Sequence, residues 1–111
     1  MYDAKDLLTE ITIRNKHSTD EIVEEILNAV IRDMLNRRSL IGTIKYSVVC
    51  DFISARIPKT VEFDKNLVLV EIINQANLRG FDCEFDNHKE LFNFGVSVES
   101  IKEFTKNQKN N

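Results

Sequence analysis

The 111-residue sequence has few of the residues that mark specialised sites: one proline, three glycines, two cysteines and no tryptophan. The three glycines are isolated from one another, so no phosphate-binding glycine loop is present. The cysteines, Cys50 and Cys83, lack the paired spacing of a zinc knuckle or a redox dithiol. Both are expected to be small buried side chains in a reducing compartment. Nucleotide-loop, zinc and disulfide-stabilised classes are therefore disfavoured.

Long apolar runs and a strong excess of one charge are also missing. No stretch approaches the roughly 20 apolar residues of a membrane span, and the acidic start "MYDAKDLLTE" is unlike a secretory signal peptide. A net charge of -3 and a pI of about 5.4 give no global attraction to nucleic acid or anionic lipid. With 42% hydrophobic and 30% charged residues, the composition is typical of one soluble, cytoplasmic domain without a membrane contact.

Apolar spacing and capping residues predict three helices. Residues 3–14 show apolar positions at helical spacing, with "NKHS" as the exit from a short first helix. A capping box that begins at Ser18 predicts a second helix from about Asp20. A third helix is expected to begin after Asp64 as its N-cap and to end at Gly80, where a left-handed residue is favoured.

Period-two alternation predicts three strands. The first covers residues 43–52 and has Tyr46 and Val48 on its dry face. The second, "FDCEFD", and the third, "LFNFGVSV", are joined by the turn "DNHK" into a hairpin. After the hairpin, one short helical turn is expected to place Ile101 and Phe104 against the core.

The predicted fold class is α+β, with the order α-α-β-α-β-β in a single domain of residues 1–104. A polar and flexible tail is expected at 105–111. Three strands need a cover on one face, and a right-handed crossover through the third helix gives a mixed sheet with helices on that face. The other face is then open to water or to a partner.

The acids Asp82, Glu84 and Asp86 occupy every second position of the second strand, which raises the question of a metal site. Calcium loops wrap their ligands around one ion, whereas same-face residues of a strand are roughly 6.6 Å apart. The alternation with apolar residues favours a solvated strand face. No metal and no cofactor are therefore predicted.

Catalytic patterns are equally sparse. The only histidines, His17 and His88, fall in predicted polar turns, and no nucleophile elbow is present. The carboxylates lie on surfaces without burial that would raise a pKa. The sequence predicts a protein that is not an enzyme.

The layout "DAKDLLTE", "DEIVEEILNAVIRDML", a strand, "LVLVEIINQANLRGFDCEF" and "LFNFGVSV" spans residues 3–98. It resembles small uncharacterised α+β proteins of bacteriophages and prophages from low-GC Gram-positive hosts. The resemblance implies a phage context and a place in the host cytoplasm.

Two functional hypotheses follow. The first is a protein-interaction or assembly module that binds itself or a host protein through the open sheet face and an unpaired strand edge, with a homodimer as the simplest assembly. Its candidate residues are Thr43, Lys45, Ser47, Val49, Asp51, Asp82, Glu84 and Asp86. The alternative is a nucleic-acid-binding accessory protein with a local basic patch. Its candidate residues are Arg37, Arg38, Arg56 and Lys59.

Overall fold

The computed structural model describes residues 3–109, which form four helices and three strands. The elements, in chain order, are α1 (Ala4–Arg37), β1 (Ile41–Lys45), α2 (Tyr46–Arg56), α3 (Lys65–Leu78), β2 (Phe81–Asp86), β3 (Leu91–Val96) and α4 (Val98–Lys109). The predicted α+β class is confirmed.

The first two predicted helices are one continuous helix, α1, of 34 residues. Its N-cap is Asp3, which forms a reciprocal capping box with Asp6. The predicted break at "NKHS" is absent, and polar side chains in and next to this segment form hydrogen bonds that do not interrupt the helix. The Thr19 hydroxyl donates to the Asn15 carbonyl four residues earlier (2.7 Å), and the Asn15 amide donates to the Glu62 carbonyl (2.9 Å). No proline or glycine interrupts this segment.

The predicted first strand, residues 43–52, is wrong from Tyr46 onward. β1 ends at Lys45, and the chain turns directly into α2. The apolar residues of this segment fit two periods, because Val49 and Ile53 lie four apart and both are buried. Lys45 forms no side-chain cap, so the sequence contained no local signal that a helix begins there.

α3 begins and ends as its capping residues predict. The Asp64 carboxylate accepts from the Asn66 amide at 2.9 Å. At the other end, Gly80 adopts φ +87°, a left-handed conformation that favours glycine. A Cβ at this position would also lie 2.5 Å from the Ser100 hydroxyl. Gly80 therefore permits both the turn and the close approach of α4.

The sheet has the order β1-β3-β2, and both pairings are antiparallel. The predicted hairpin between β2 and β3 is present. The predicted mixed sheet is not, because β3 lies between β1 and β2 and separates the two strands that would have paired in parallel. β1 and β2 are the two edges.

One face of the sheet is buried beneath helices. Helices α1, α2 and α3 supply core side chains on this side, and β1 approaches α1 so closely that a Cβ on Gly42 would lie 2.8 Å from the Met34 Cγ. Phe92, at the centre of the middle strand, is fully buried between Phe85 and Phe94. The predicted arrangement of helices on one face therefore holds for α1 and α3, the two longest helices.

α4 differs from the predicted short turn and polar tail. It is a 12-residue helix that continues through residues 105–109, whereas 110–111 lie outside the described residues. The Ser97 hydroxyl accepts from the Ser100 amide at 3.1 Å, as an N-cap does. Ile101 and Phe104, which were expected to contact the core, are exposed.

Two neighbouring residues of α2 test the correction to the first strand. Val49 is fully buried, whereas Val48 is 38% exposed. Val49→Asp should abolish cooperative unfolding because it buries an unpaired charge. Val48→Asp should leave the thermal melt, followed by circular dichroism, close to that of the wild type. A strand at this position would give the reverse order, since Val48 would then face the core.

Candidate protein-interaction surface

On the uncovered face of the sheet, one polar row runs across all three strands. Thr43 lies opposite Asn93, which lies opposite Glu84, and all three are exposed. Five of the eight predicted interaction residues share this face, as their alternation indicated. They are Thr43, Lys45, Asp82, Glu84 and Asp86.

The other three predicted interaction residues lie on α2 instead. Ser47 and Asp51 are exposed on that helix, and Val49 is part of the core. The dimer expected through a long first-strand edge, residues 43–52, therefore loses most of its pairing surface. Proline at Ser47 or Val49 would now interrupt a helix and would not test a strand edge.

The acids of β2 lie along one face of the strand, where Asp82 and Glu84 are exposed and Asp86 is half-buried. Within residues 3–109, no group of three or more His, Cys, Asp or Glu side chains is placed to hold a metal ion. Asp86 also accepts from the backbone amides of His88 and Lys89 at 2.9 and 3.1 Å, which closes the hairpin turn. Asp82 and Glu84 leave a charged surface beside the edge of the sheet.

The direction of the backbone groups identifies the free edge of β1. Successive residues of an antiparallel strand direct their N–H and C=O groups to opposite sides. The Tyr46 amide donates to Glu90 at 2.8 Å, and the Leu40 carbonyl accepts from Val96 at 3.2 Å. The even-numbered residues of this segment therefore face β3, and its odd-numbered residues face outward.

Part of that outward edge is already occupied. The Ile41 amide donates to the Ser39 hydroxyl (3.2 Å), which donates back to the Ile41 carbonyl (3.0 Å). The Arg37 guanidinium also donates to this carbonyl at 3.3 Å. Only Thr43 and Lys45 keep outward backbone groups before α2 begins. β1 is thus a short, protected edge.

The edge of β2 is longer. The Ser97 amide donates to the Gly80 carbonyl at 3.1 Å, which continues the β2–β3 ladder and shows that even-numbered residues of β2 face β3. Phe81, Cys83 and Phe85 therefore direct their N–H and C=O groups away from the sheet. No hydrogen bond within residues 3–109 reaches these groups. Strand order, which the sequence did not indicate, decides that this edge is open.

The predicted basic residues do not form one patch. Arg56 donates to Glu25 and to Glu21, at 3.0 Å in each case, and Arg37 is 2.8 Å from Asp33. Glu25 and Arg37 are 12 residues apart on α1, which places them about 18 Å apart along the helix. Arg38 follows the end of α1, and Lys59 lies in the connection after α2. Two of the four residues are neutralised by carboxylates.

Of the two cysteines, which were both expected to be buried, Cys83 is buried and Cys50 is only half-buried. Burial raises the pKa of the Cys83 thiol to about 12, with the Glu84 charge as a smaller contribution. This thiol therefore stays protonated and is a poor nucleophile at neutral pH. His17 is an exposed partner of Glu21 (3.0 Å) on α1, and His88 lies in the hairpin turn.

Two apolar surfaces were not foreseen from the sequence. The first is the N-terminal part of α1, where Leu7 and Leu8 are 57% and 66% exposed. The second is a depression of about 390 Å³ at the C-terminal end of α1, between Met34, Leu40 and Phe81. The sequence shows Leu7 and Leu8 at helical spacing, but it does not show their exposure, which depends on how far α1 extends past the sheet.

No protein-family model, curated protein or solved structure shows significant similarity to this chain. Among the helices of residues 3–109, none combines the length and the apolar character needed to cross a membrane.

The ion pairs of Arg56 provide a pH-dependent test of how α2 is held on α1. The hydrogen bond from Arg56 lowers the pKa of Glu25. Because this pKa is lowered in the folded state, its stabilisation is complete above the ordinary glutamate value of about 4.3 and is lost as pH falls through the lowered value. Arg56→Met should therefore lower the Tm slightly at about pH 7 and not at about pH 3.

The matched control for this measurement is Lys59→Met, which removes a nearby positive charge and leaves the Arg56 pairs intact. Its Tm should equal that of the wild type at both pH values. A Tm difference for Arg56→Met that is the same at both pH values would contradict the assignment of the lowered pKa to this pair.

Proposed function

We propose that this chain is a non-enzymatic, cytoplasmic protein-interaction module that binds an extended segment of another protein at the edge of β2. The observation that carries the proposal is the set of outward backbone groups at Phe81, Cys83 and Phe85. An extended segment that pairs with this edge adds a fourth strand to the sheet. The phage context rests on the resemblance in layout alone.

The side chains of β2 specify the chemistry of the segment. Asp82, Glu84 and Asp86 point to the uncovered face, so the residues beside them on an added strand are best basic. Phe81, Cys83 and Phe85 point to the helical side, so the alternate residues are best apolar. The preferred ligand is an extended segment in which lysine or arginine alternates with apolar residues.

The acids also explain why the open edge need not cause aggregation. Charged side chains on edge strands oppose pairing between identical copies. Two β2 strands that approached each other would bring like charges together. The same charges select a partner of opposite sign, which combines protection with specificity.

A short synthetic peptide of alternating lysine and valine tests the proposal. Its addition should shift the backbone amide NMR signals of Phe81, Cys83 and Phe85 more than those of β1. Glu84→Lys should weaken peptide binding by about tenfold, since it replaces an attractive cross-strand pair by a repulsive one. Binding should also weaken as salt concentration rises.

Two controls separate strand pairing from general charge attraction. Asp51→Lys makes the same acid-to-lysine change at an exposed position of α2, the helix that follows the opposite edge strand, and should leave binding nearly unchanged. A peptide of alternating glutamate and valine should not bind. The proposal is wrong if the lysine peptide binds Glu84→Lys as tightly as the wild type, or if the amide shifts concentrate on β1.

A further inference from the structure

The N-terminal part of α1, residues 3–14, extends beyond the rest of the chain and is called the arm here. α1 is about 51 Å long at 1.5 Å per residue, and its first hydrogen bond to another element is that from Asn15 to Glu62. The radius of gyration of 17.1 Å exceeds the roughly 13 Å of a compact chain of this size.

An apolar stripe runs along one side of the arm. Leu8 and Ile11 lie three helical turns before Thr19 and Ile22, which are buried, so all four share one side of α1. The stripe is thus the continuation of the side that packs into the core. On the arm, Leu7 and Leu8 remain largely exposed, and Ile11 is half-buried.

We infer that a second copy of this chain covers the stripe, with the two arms antiparallel about a two-fold axis between residues 9 and 10. This arrangement packs Leu8 against Ile11 of the second copy and Ala4 against Asn15. One surface is then complementary to itself, as a two-fold interface requires. This arm-to-arm dimer goes beyond the proposed function, because it leaves the β2 edge free.

The charges beside the stripe favour this orientation. Asp3 and Arg14 are 11 residues, or about three turns, apart and therefore lie on the same flank of the arm. The two-fold axis brings Asp3 of each copy close to Arg14 of the other. A parallel arrangement would instead bring Asp3 to Asp3 and Arg14 to Arg14.

The length of the paired segment limits the strength of the dimer. The paired segment, residues 4–15, is only about 18 Å long, which is small for a stable interface. The dimer is therefore expected to be weak, with a micromolar Kd, and concentration-dependent.

Sedimentation equilibrium over a range of about 10 to 500 µM tests the inference. The wild type should shift from monomer to dimer across this range. Leu8→Glu should remain monomeric, because it places a charge in the centre of the stripe.

The arm offers a matched control in Ile13, which is 58% exposed on the opposite side of the helix. Ile13→Glu makes the same kind of change and should dimerise like the wild type. A wild type that is monomeric throughout the range overturns the inference. Equal dissociation by Leu8→Glu and Ile13→Glu overturns it as well.

Spin labels on two single-site variants, Lys16→Cys and Thr9→Cys, each made in Cys50→Ser protein, determine the orientation of the arms. In the antiparallel dimer, the two labels at position 16 are displaced from each other by about 20 Å along the helices, whereas the two labels at position 9 are nearly level. The distance between labels at position 16 should therefore exceed the distance between labels at position 9, and equal distances would overturn the antiparallel arrangement.

The two proposals can fail independently. Leu8→Glu should still bind the lysine peptide, and Glu84→Lys should still dimerise.

Discussion

The middle of α1, between Thr19 and Met34, supplies the largest share of the core, and the other elements are placed by packing against it. Ile22 and Ile26 are fully buried there, and burial of one such side chain is worth about 1.5–3 kcal/mol. α3 packs beside this stretch, and the Arg56 pairs with Glu21 and Glu25 bring the end of α2 to it. The sheet then closes the remaining side through Phe92 and Phe94.

A core organised around one long helix leaves specific surfaces uncovered. Three strands are too few to form a second layer, so one sheet face stays exposed and is polar. The same small sheet has two edges, of which β1 is protected by Ser39 and Arg37 and β2 is open. α1 also extends past the sheet and the other helices. The side of α1 that is buried in the middle of the helix therefore continues as an exposed apolar stripe on the arm.

The two proposed surfaces depend on different forces. Pairing at β2 depends on backbone hydrogen bonds, whose selectivity comes from the acids beside them. Association of the arms depends on apolar contact, with Asp3 and Arg14 setting its direction. Because the surfaces involve different elements, one chain can associate with its own copy and still present β2 to another protein.

Local signals in the sequence were sufficient for α3, for the β2–β3 hairpin and for the α+β class. The Asp64 cap, the left-handed Gly80 and the strict alternation of "FDCEFD" each act over a few residues, so neighbours in sequence determine them. Only the tertiary structure decided that α1 continues through "NKHS", that Val49 lies on a buried helix, and that β3 separates β1 from β2. In those segments two local structures compete closely, and contacts with residues distant in sequence select between them. Strand order has no local signal, and it alone makes β2 the open edge.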